Sequence, residues 1–177
     1  MSNPTPKAQK LDEFHDLVAE ISTAMMVTRR PDGRLVSRPM ATQKREPVAD
    51  LWFVTDVDTH KVDEMEADPN VCLAYFNPKT YEWVSASGRA TLTQDREKIR
   101  ELYQPDWRAW FGDEGGERDG GPNDPRLALI LVDLESVHYM KAKHSKPVAL
   151  FEIAKGIVTG EQPDVGREEK LSGPELS

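Results

Sequence analysis

Three basic residues, Arg38, His60 and Lys61, lie close to two segments that have the composition of buried strands. A guanidinium, an ammonium and the free backbone N–H groups of a helix start are the groups that best bind a phosphate dianion. Thr59 to Lys61 has the composition of such a helix start. The pattern therefore predicts an anion site at the end of a strand pair, and the alternative is that these residues are ordinary surface charges.

Composition restricts the partners that such a site could serve. The chain has 177 residues, of which 38% are hydrophobic, and this suits one globular domain. The 31 acidic and 23 basic residues give a net charge of -8, which disfavours nucleic acid and anionic membranes as partners. Cys72 is the only cysteine, so no intrachain disulfide or cysteine zinc cluster can form. The first ten residues lack the apolar core of a signal peptide, and no apolar run is long enough to span a bilayer, so we expect a cytoplasmic protein.

The elements that must position the basic residues follow from the spacing of apolar side chains. About six short strands and one connecting helix indicate an antiparallel barrel or sandwich with helices packed outside, and no glycine fingerprint of a Rossmann fold is present. The predicted order is a helix at 11–21, two strands flanking a turn at 31–33, a strand at 51–55, a helix at 59–68, strands at 71–77 and 81–93, short helices at 95–103 and 105–111, one or two strands at 126–142, and a helix or strand at 147–160.

Other features have ordinary structural interpretations. The segment 113–124 is rich in Gly, Asp and Glu, so we expect an exposed, weakly ordered loop whose acidic residues are solvated and bind no metal. Trp107, Trp110 and Phe111 are expected to fill a core or a dimer interface, with the covering of a bound ligand as the alternative. Residues 1–10 are predicted to be a disordered segment and residues 161–177 a polar tail.

The ordered motifs SRPM, WFVT followed by HK, and WVSASGRATL with Gly88 resemble the FMN-binding split-barrel family. Within it, the chain is most similar to the general-stress-protein branch of the pyridoxamine phosphate oxidase-like proteins. The resemblance covers roughly residues 10–160. It implies a mainly β (α+β) fold over 11–160, a six-stranded antiparallel split β-barrel with flanking helices. It also implies a homodimer with FMN in the cleft between the subunits.

The resemblance further implies which residues contact the flavin. The strand that contains Arg38 would lie along the ring and ribityl chain, and Arg38 would reach the phosphate together with the start of the following helix. Trp83 stands where the oxidase relatives carry a polar contact. The implied contacts are Arg38, Pro39, Met40, Ala41, Val54, Thr55, His60, Lys61, Trp83 and Trp110.

Three functions are compatible with these observations. The first is flavin redox chemistry in which a reduced nicotinamide donates electrons and a small molecule accepts them, with no dedicated catalytic residue. The second is a non-catalytic FMN store or redox sensor. The third keeps the fold and replaces FMN by the deazaflavin F420 or by haem. Pyridoxamine phosphate oxidase activity itself is not expected, because the basic residues that hold its substrate phosphate are not evident in the last quarter of the chain.

Overall fold

The computed structural model describes residues 6–143 and 146–176, and in this part of the chain seven strands form one antiparallel sheet. The strands are β1 Thr23–Arg29, β2 Leu35–Ala41, β3 Leu51–Asp56, β4 Asn70–Phe76, β5 Trp83–Thr93, β6 Leu127–Ala142 and β7 Gly166–Ser172. Six of them follow the order β2-β1-β4-β5-β6-β3, and β7 pairs with β6. The mainly β, six-stranded split barrel predicted from the sequence is thereby confirmed, and β7 is an addition to it.

Strand β6 connects the other strands of the sheet, because it is 16 residues long and pairs with strands along both of its edges. One edge pairs with β5, whereas the other pairs first with β3 and then with β7. The register with β5 shifts after Ser87, where Gly88 pairs with Leu134 and Ser87 pairs with Ser136. Glu135 is therefore the extra residue of a β-bulge, which bends the strand between its two partners.

Helices cover the sheet and join its strands. They are α1 Lys7–Ile21, α2 His60–Ala67, α3 Arg96–Leu102, α4 Arg108–Phe111 and α5 Lys146–Thr159, and a 3₁₀ turn at Pro105–Trp107 leads into α4. Helix α1 buries Phe14, Leu17 and Val18 in the main core. No helix in the described part of the chain has the length and apolar character to cross a membrane.

Two expectations about chain ends need correction. Helix α1 begins at Lys7, so the segment predicted to be disordered up to residue 10 overlaps its first turn, while residues 1–5 lie outside the described residues. Strand β7 lies inside the predicted polar tail 161–177. Its pairing with β6 leaves only Leu171 buried, so the segment has little hydrophobic signal.

The loop at 113–124 is exposed over residues 113–117, as predicted, but its end is buried and ordered by internal contacts. Asp124 is 0% exposed and Arg126, which follows the loop, is 2% exposed. Backbone hydrogen bonds of Glu114 with Arg118, and of Asp124 with Gly121, close turns within the loop. Asp124 and Arg126 therefore form a buried ionic pair, which the charge-rich composition of the loop does not indicate.

Replacing Gly88 by alanine is expected to lower the free energy of unfolding by about 1 to 3 kcal/mol, because the new methyl group would overpack the bulge. A Cβ atom at this position would lie 2.2 Å from the carbonyl oxygen of Asp133 and 2.9 Å from Cα of Leu134, both of them backbone atoms. Urea denaturation measures the effect, and Ser87→Ala on the same strand is the control. Equal stability of Gly88→Ala and wild type would contradict the close approach.

Candidate functional site

A cleft of about 530 Å³ opens between the ends of β2 and β3, the start of α2, and the aromatic turn, by which we mean residues 105–111. Seven of the ten flavin contacts implied by the resemblance line this cleft: Pro39, Met40, Ala41, Val54, Thr55, Lys61 and Trp110. The remaining lining residues are Thr23, Gln43, Asp56, Thr59, Asp106, Trp107 and Phe111. The structure therefore brings together most of the residues predicted from two strands and one helix start.

One end of the cleft is basic and rich in hydroxyl groups. Lys61 Nζ donates hydrogen bonds to the Oγ1 atoms of Thr55 and Thr59, each at 3.0 Å. Thr59 precedes α2 but makes no side-chain cap, because its hydroxyl donates instead to the carbonyl of Asp56 at 2.7 Å. The Thr55 hydroxyl also donates to the Asp56 carbonyl, at 3.3 Å, so the two hydroxyls orient the ammonium group. This end thus offers an anion the ammonium group and a helix start that no side chain caps.

Lys61 is held in a partly desolvated place. Burial first, and then the nearby charge of Arg38, lower the pKa of Lys61 below its usual value, while the charges of Asp56 and Glu64 act in the opposite direction. An anion bound beside Nζ would raise this pKa again, because it favours the charged form of the lysine. Binding of an anion and protonation of Lys61 are therefore coupled.

Arg38 does not line the cleft, although it lies on the same face of β2 as Met40. Its Nη1 donates to Thr28 Oγ1 at 2.7 Å, and its Nη2 donates to Glu64 Oε1 at 2.9 Å. Glu64 is 5% exposed; burial raises its pKa, but the hydrogen bonds from Thr28 and Arg38 outweigh this, and the net pKa is lowered. Arg38 is therefore paired with a buried carboxylate next to the basic end of the cleft.

His60 and Trp83 also lie outside the cleft of a single chain. The His60 side chain is 97% exposed, and its Nδ1 lies 3.9 Å from Asp63. Trp83 begins β5, pairs with Met140 of β6, and its ring centroid lies 4.9 Å from that of His138. These two residues and Arg38 are thus the predicted contacts that the fold does not place in the cleft.

Another part of the cleft lining is aromatic. Trp107 is 3% exposed and belongs to a second core cluster, in agreement with the expectation that it fills a core. Its Nε1 donates to Gln43 Oε1 at 3.1 Å, which ties the aromatic turn to the chain that leaves β2. Trp110, by contrast, is 85% exposed at the mouth of the cleft. A planar ligand could therefore pack against these aromatic side chains, and its outer edge would face the solvent.

Sequence reasoning missed several residues of the site. Gln43 and Asp106 line the cleft, but each belongs to a polar stretch with no periodic pattern. Glu64 was missed because an acidic residue on a short helix is normally solvated. Among the described residues, His, Cys, Asp and Glu side chains nowhere form a group of three or more that could hold a metal ion.

Comparison with known proteins gives a consistent result. Residues 9–164 match the model of a family described as pyridoxamine 5'-phosphate oxidase like. Protein bli-3 of Neurospora crassa is 32% identical over 179 residues, which cover 99% of this chain and 86% of that protein. A solved general stress protein 26 from Jannaschia sp. CCS1 superposes with a TM-score of 0.71 at 26% identity, covering 94% of this chain and 99% of that one. A general stress FMN/FAD binding protein from Xanthomonas citri has a TM-score of 0.59 at 23% identity, covering 75% and 88%.

Proposed function

Since this chain belongs to the pyridoxamine 5'-phosphate oxidase-like family, we propose that it is a general-stress-type flavoprotein that binds FMN in the cleft between β2, β3 and the aromatic turn. The observation that carries the proposal is the composition of the cleft lining. It combines a basic end at Lys61, which suits a phosphate, with aromatic side chains, which suit a flavin ring. The description of the Xanthomonas citri structure as an FMN/FAD binding protein supports the choice of cofactor.

The chemistry of the lining residues fits FMN along the whole cleft. Lys61 offers a charged donor for the phosphate, and Thr55 and Thr59 hold its ammonium group in place. Pro39, Met40 and Val54 add apolar surface to the lining, and the aromatic turn adds its rings. A volume of about 530 Å³ lies in the range of small-molecule pockets, about 300 to 1,000 Å³. Asp56 also lines the cleft and carries a negative charge. Its Oδ1 is directed to the backbone, because it accepts a hydrogen bond from the Asp58 N–H at 2.8 Å.

Bound FMN would supply two-electron redox chemistry, and we propose a reduced nicotinamide as the donor and a small molecule as the acceptor. The residues of this chain bind and orient the cofactor. Lys61 supplies positive charge at the phosphate, and the aromatic turn excludes water from the ring. The titratable side chains of the lining are Asp56, Lys61 and Asp106, and the proposal gives Lys61 a binding role and assigns no general acid or base.

Purified protein should be yellow and should release FMN when it is denatured. Absorption spectra of the native protein and chromatography of the released cofactor test this directly. Absorption bands of haem or of a deazaflavin would show that the bound cofactor is one of these two alternatives and not FMN. A colourless preparation that also leaves the fluorescence of added FMN unchanged would overturn the proposal.

Catalysis is tested separately from binding. Oxidation of NADH and NADPH is measured with quinones, nitro compounds or oxygen as acceptors, and free FMN at the same concentration is the control. Turnover above this control supports an oxidoreductase. A protein that holds FMN without turnover would instead be a flavin store or redox sensor.

We also propose that the protein forms a homodimer, because several large apolar side chains are exposed in the single chain. On α5, Leu150 is 66%, Phe151 is 67% and Ile157 is 81% exposed, and Trp110 at the cleft is 85% exposed. Apolar surface of this kind is normally covered by a partner. Sedimentation at micromolar concentration should show a dimer, and a monomer would contradict the proposal.

A further inference from the structure

A buried ionic pair lies directly before β6 and outside the lining of the cleft. Arg126 is 2% exposed and Asp124 is 0% exposed. Arg126 donates from Nε to Asp124 Oδ1 at 3.1 Å and from Nη2 to Oδ2 at 2.7 Å. The same carboxylate accepts the backbone N–H groups of Gly120 at 2.8 Å and of Arg126 at 2.9 Å. The Asp124 carboxylate is therefore fully engaged inside the protein.

Arg126 also reaches the backbone of the aromatic turn and of the loop after it, and the side chain of Glu114. Nη1 donates to the carbonyl of Phe111 at 2.8 Å and pairs with Glu114 Oε1 at 2.9 Å, and Nη2 donates to the carbonyl of Gly112 at 3.1 Å. Nη2 also donates to the carbonyl of Arg118 at 3.2 Å. The last carbonyls of a helix have no partners within it, and here α4 ends at Phe111. Arg126 therefore satisfies the end of α4 by a set of donors that only a guanidinium can present.

Further contacts hold the loop against the same turn. A Cβ atom on Gly120 would lie 2.9 Å from Cγ of Arg108, so the loop backbone packs directly on α4. The Tyr103 hydroxyl donates to the carbonyl of Gly120 at 2.9 Å. The guanidinium carbon of Arg126 lies 5.7 Å from the centroid of the Phe111 ring. Loop, pair and aromatic turn thus form one packed unit.

We propose that Arg126 is a positioning residue that holds Trp110 and Phe111 in the lining of the cleft. Trp110 is 85% exposed, so packing of its own side chain contributes little to its position. The position of its ring is set by the backbone of α4, and Arg126 fixes that backbone at the carbonyls of Phe111 and Gly112. The role in flavin binding rests on the proposed function, whereas the role in ordering the turn does not.

Flavin titration of Arg126→Lys tests the first role. Lysine retains the charge but cannot satisfy several carbonyls at once, so we expect FMN and riboflavin to bind about threefold to tenfold more weakly, with an unchanged ratio between them. In a background that carries both Trp110→Ala and Phe111→Ala, Arg126→Lys should cost little further affinity, because its effect acts through these two side chains. Arg118→Ala, which removes an exposed side chain of the same loop, should bind flavin like the wild type. Equal losses in both backgrounds, or a loss confined to FMN, would overturn the proposal.

Amide hydrogen exchange tests the second role without any flavin. The Gly112 N–H bonds to the carbonyl of Arg108 at 3.0 Å at the end of α4. In Arg126→Lys this amide should be accelerated by a larger factor than the amide of Leu129 in β6, which reports only the change in global stability. Equal acceleration at both positions, or none at Gly112, would mean that Arg126 does not order the turn. If the wild type binds neither flavin, the proposed function fails, but this experiment still decides the role of Arg126.

Discussion

Replacing Arg126 by alanine is expected to lower the free energy of unfolding by about 3 to 5 kcal/mol, the cost of leaving a buried charge without its partner. Asp124 is 0% exposed and would keep only the backbone N–H groups of Gly120 and residue 126 as donors. The carbonyls of Phe111 and Gly112 would lose their Arg126 donors in the same substitution. Urea denaturation followed by tryptophan fluorescence measures the loss.

Arg118→Ala is the matched control because Arg118 lies in the same loop but forms exposed pairs. Its guanidinium contacts Glu114 at 2.7 Å and Asp58 at 3.1 Å, and its side chain is 42% exposed. Exposed pairs contribute about 0 to 1 kcal/mol, so this variant should stay close to the wild type. If the two variants were equally destabilised, burial of the Arg126–Asp124 pair would not be the cause.

The same pair predicts how stability depends on pH. Burial raises the pKa of Asp124, but the hydrogen bonds from Arg126 and Gly120 outweigh this and lower it from 3.8 to about 2. A carboxyl group whose pKa is lower in the folded state stabilises the fold above its unfolded pKa and ceases to do so as the pH falls through its folded pKa. The wild type should therefore lose stability between about pH 4 and pH 2, and the gap to Arg126→Ala should narrow there. Denaturation at pH 7, 4 and 2.5 tests this, and a constant gap would contradict it.

The sequence predicted the strands and much of the cleft because these depend on short-range patterns. The apolar runs of β1 to β6 alternate or are β-branched, and their order along the chain matches the motifs of the family. Residues 39–41 end β2 and residues 54–55 lie near the end of β3, and the curled sheet brings these two outermost strands of the order β2 to β3 into contact. Lys61 could be placed for the same reason, since it lies in the first turn of the next helix.

The partners of charged side chains could not be predicted in this way. The pairing of Arg38 with Glu64 depends on how α2 packs against the sheet, which no local pattern encodes. In β7, Arg167 pairs with Glu13 of α1 and Lys10 pairs with Glu169, so that strand is stabilised by ionic contacts with a distant helix. Composition indicates how many charges a segment carries, but the tertiary fold decides which of them are buried.

Replacing Lys61 by alanine is expected to weaken FMN binding by about tenfold or more, the loss of one charge-assisted contact of roughly 1.5 to 3 kcal/mol. Riboflavin lacks the phosphate, so its affinity should change much less. The reason lies in the geometry, because Lys61 is the basic side chain that lines the described cleft and its Nζ is held by Thr55 and Thr59. Fluorescence titration of both flavins against wild type and variant measures the ratio.

Two further variants make this test specific for the phosphate. Lys79→Ala removes an exposed lysine outside the cleft and should leave both affinities unchanged. Arg38→Ala removes the partner of the buried Glu64, so we expect it to lower stability and to weaken FMN and riboflavin by equal factors. A loss confined to FMN in Arg38→Ala would instead show that this guanidinium reaches the phosphate despite its pairing with Glu64. Equal losses of both flavins in Lys61→Ala would mean that Lys61 does not contact the phosphate, and the placement of the phosphate at the basic end of the cleft would have to be withdrawn.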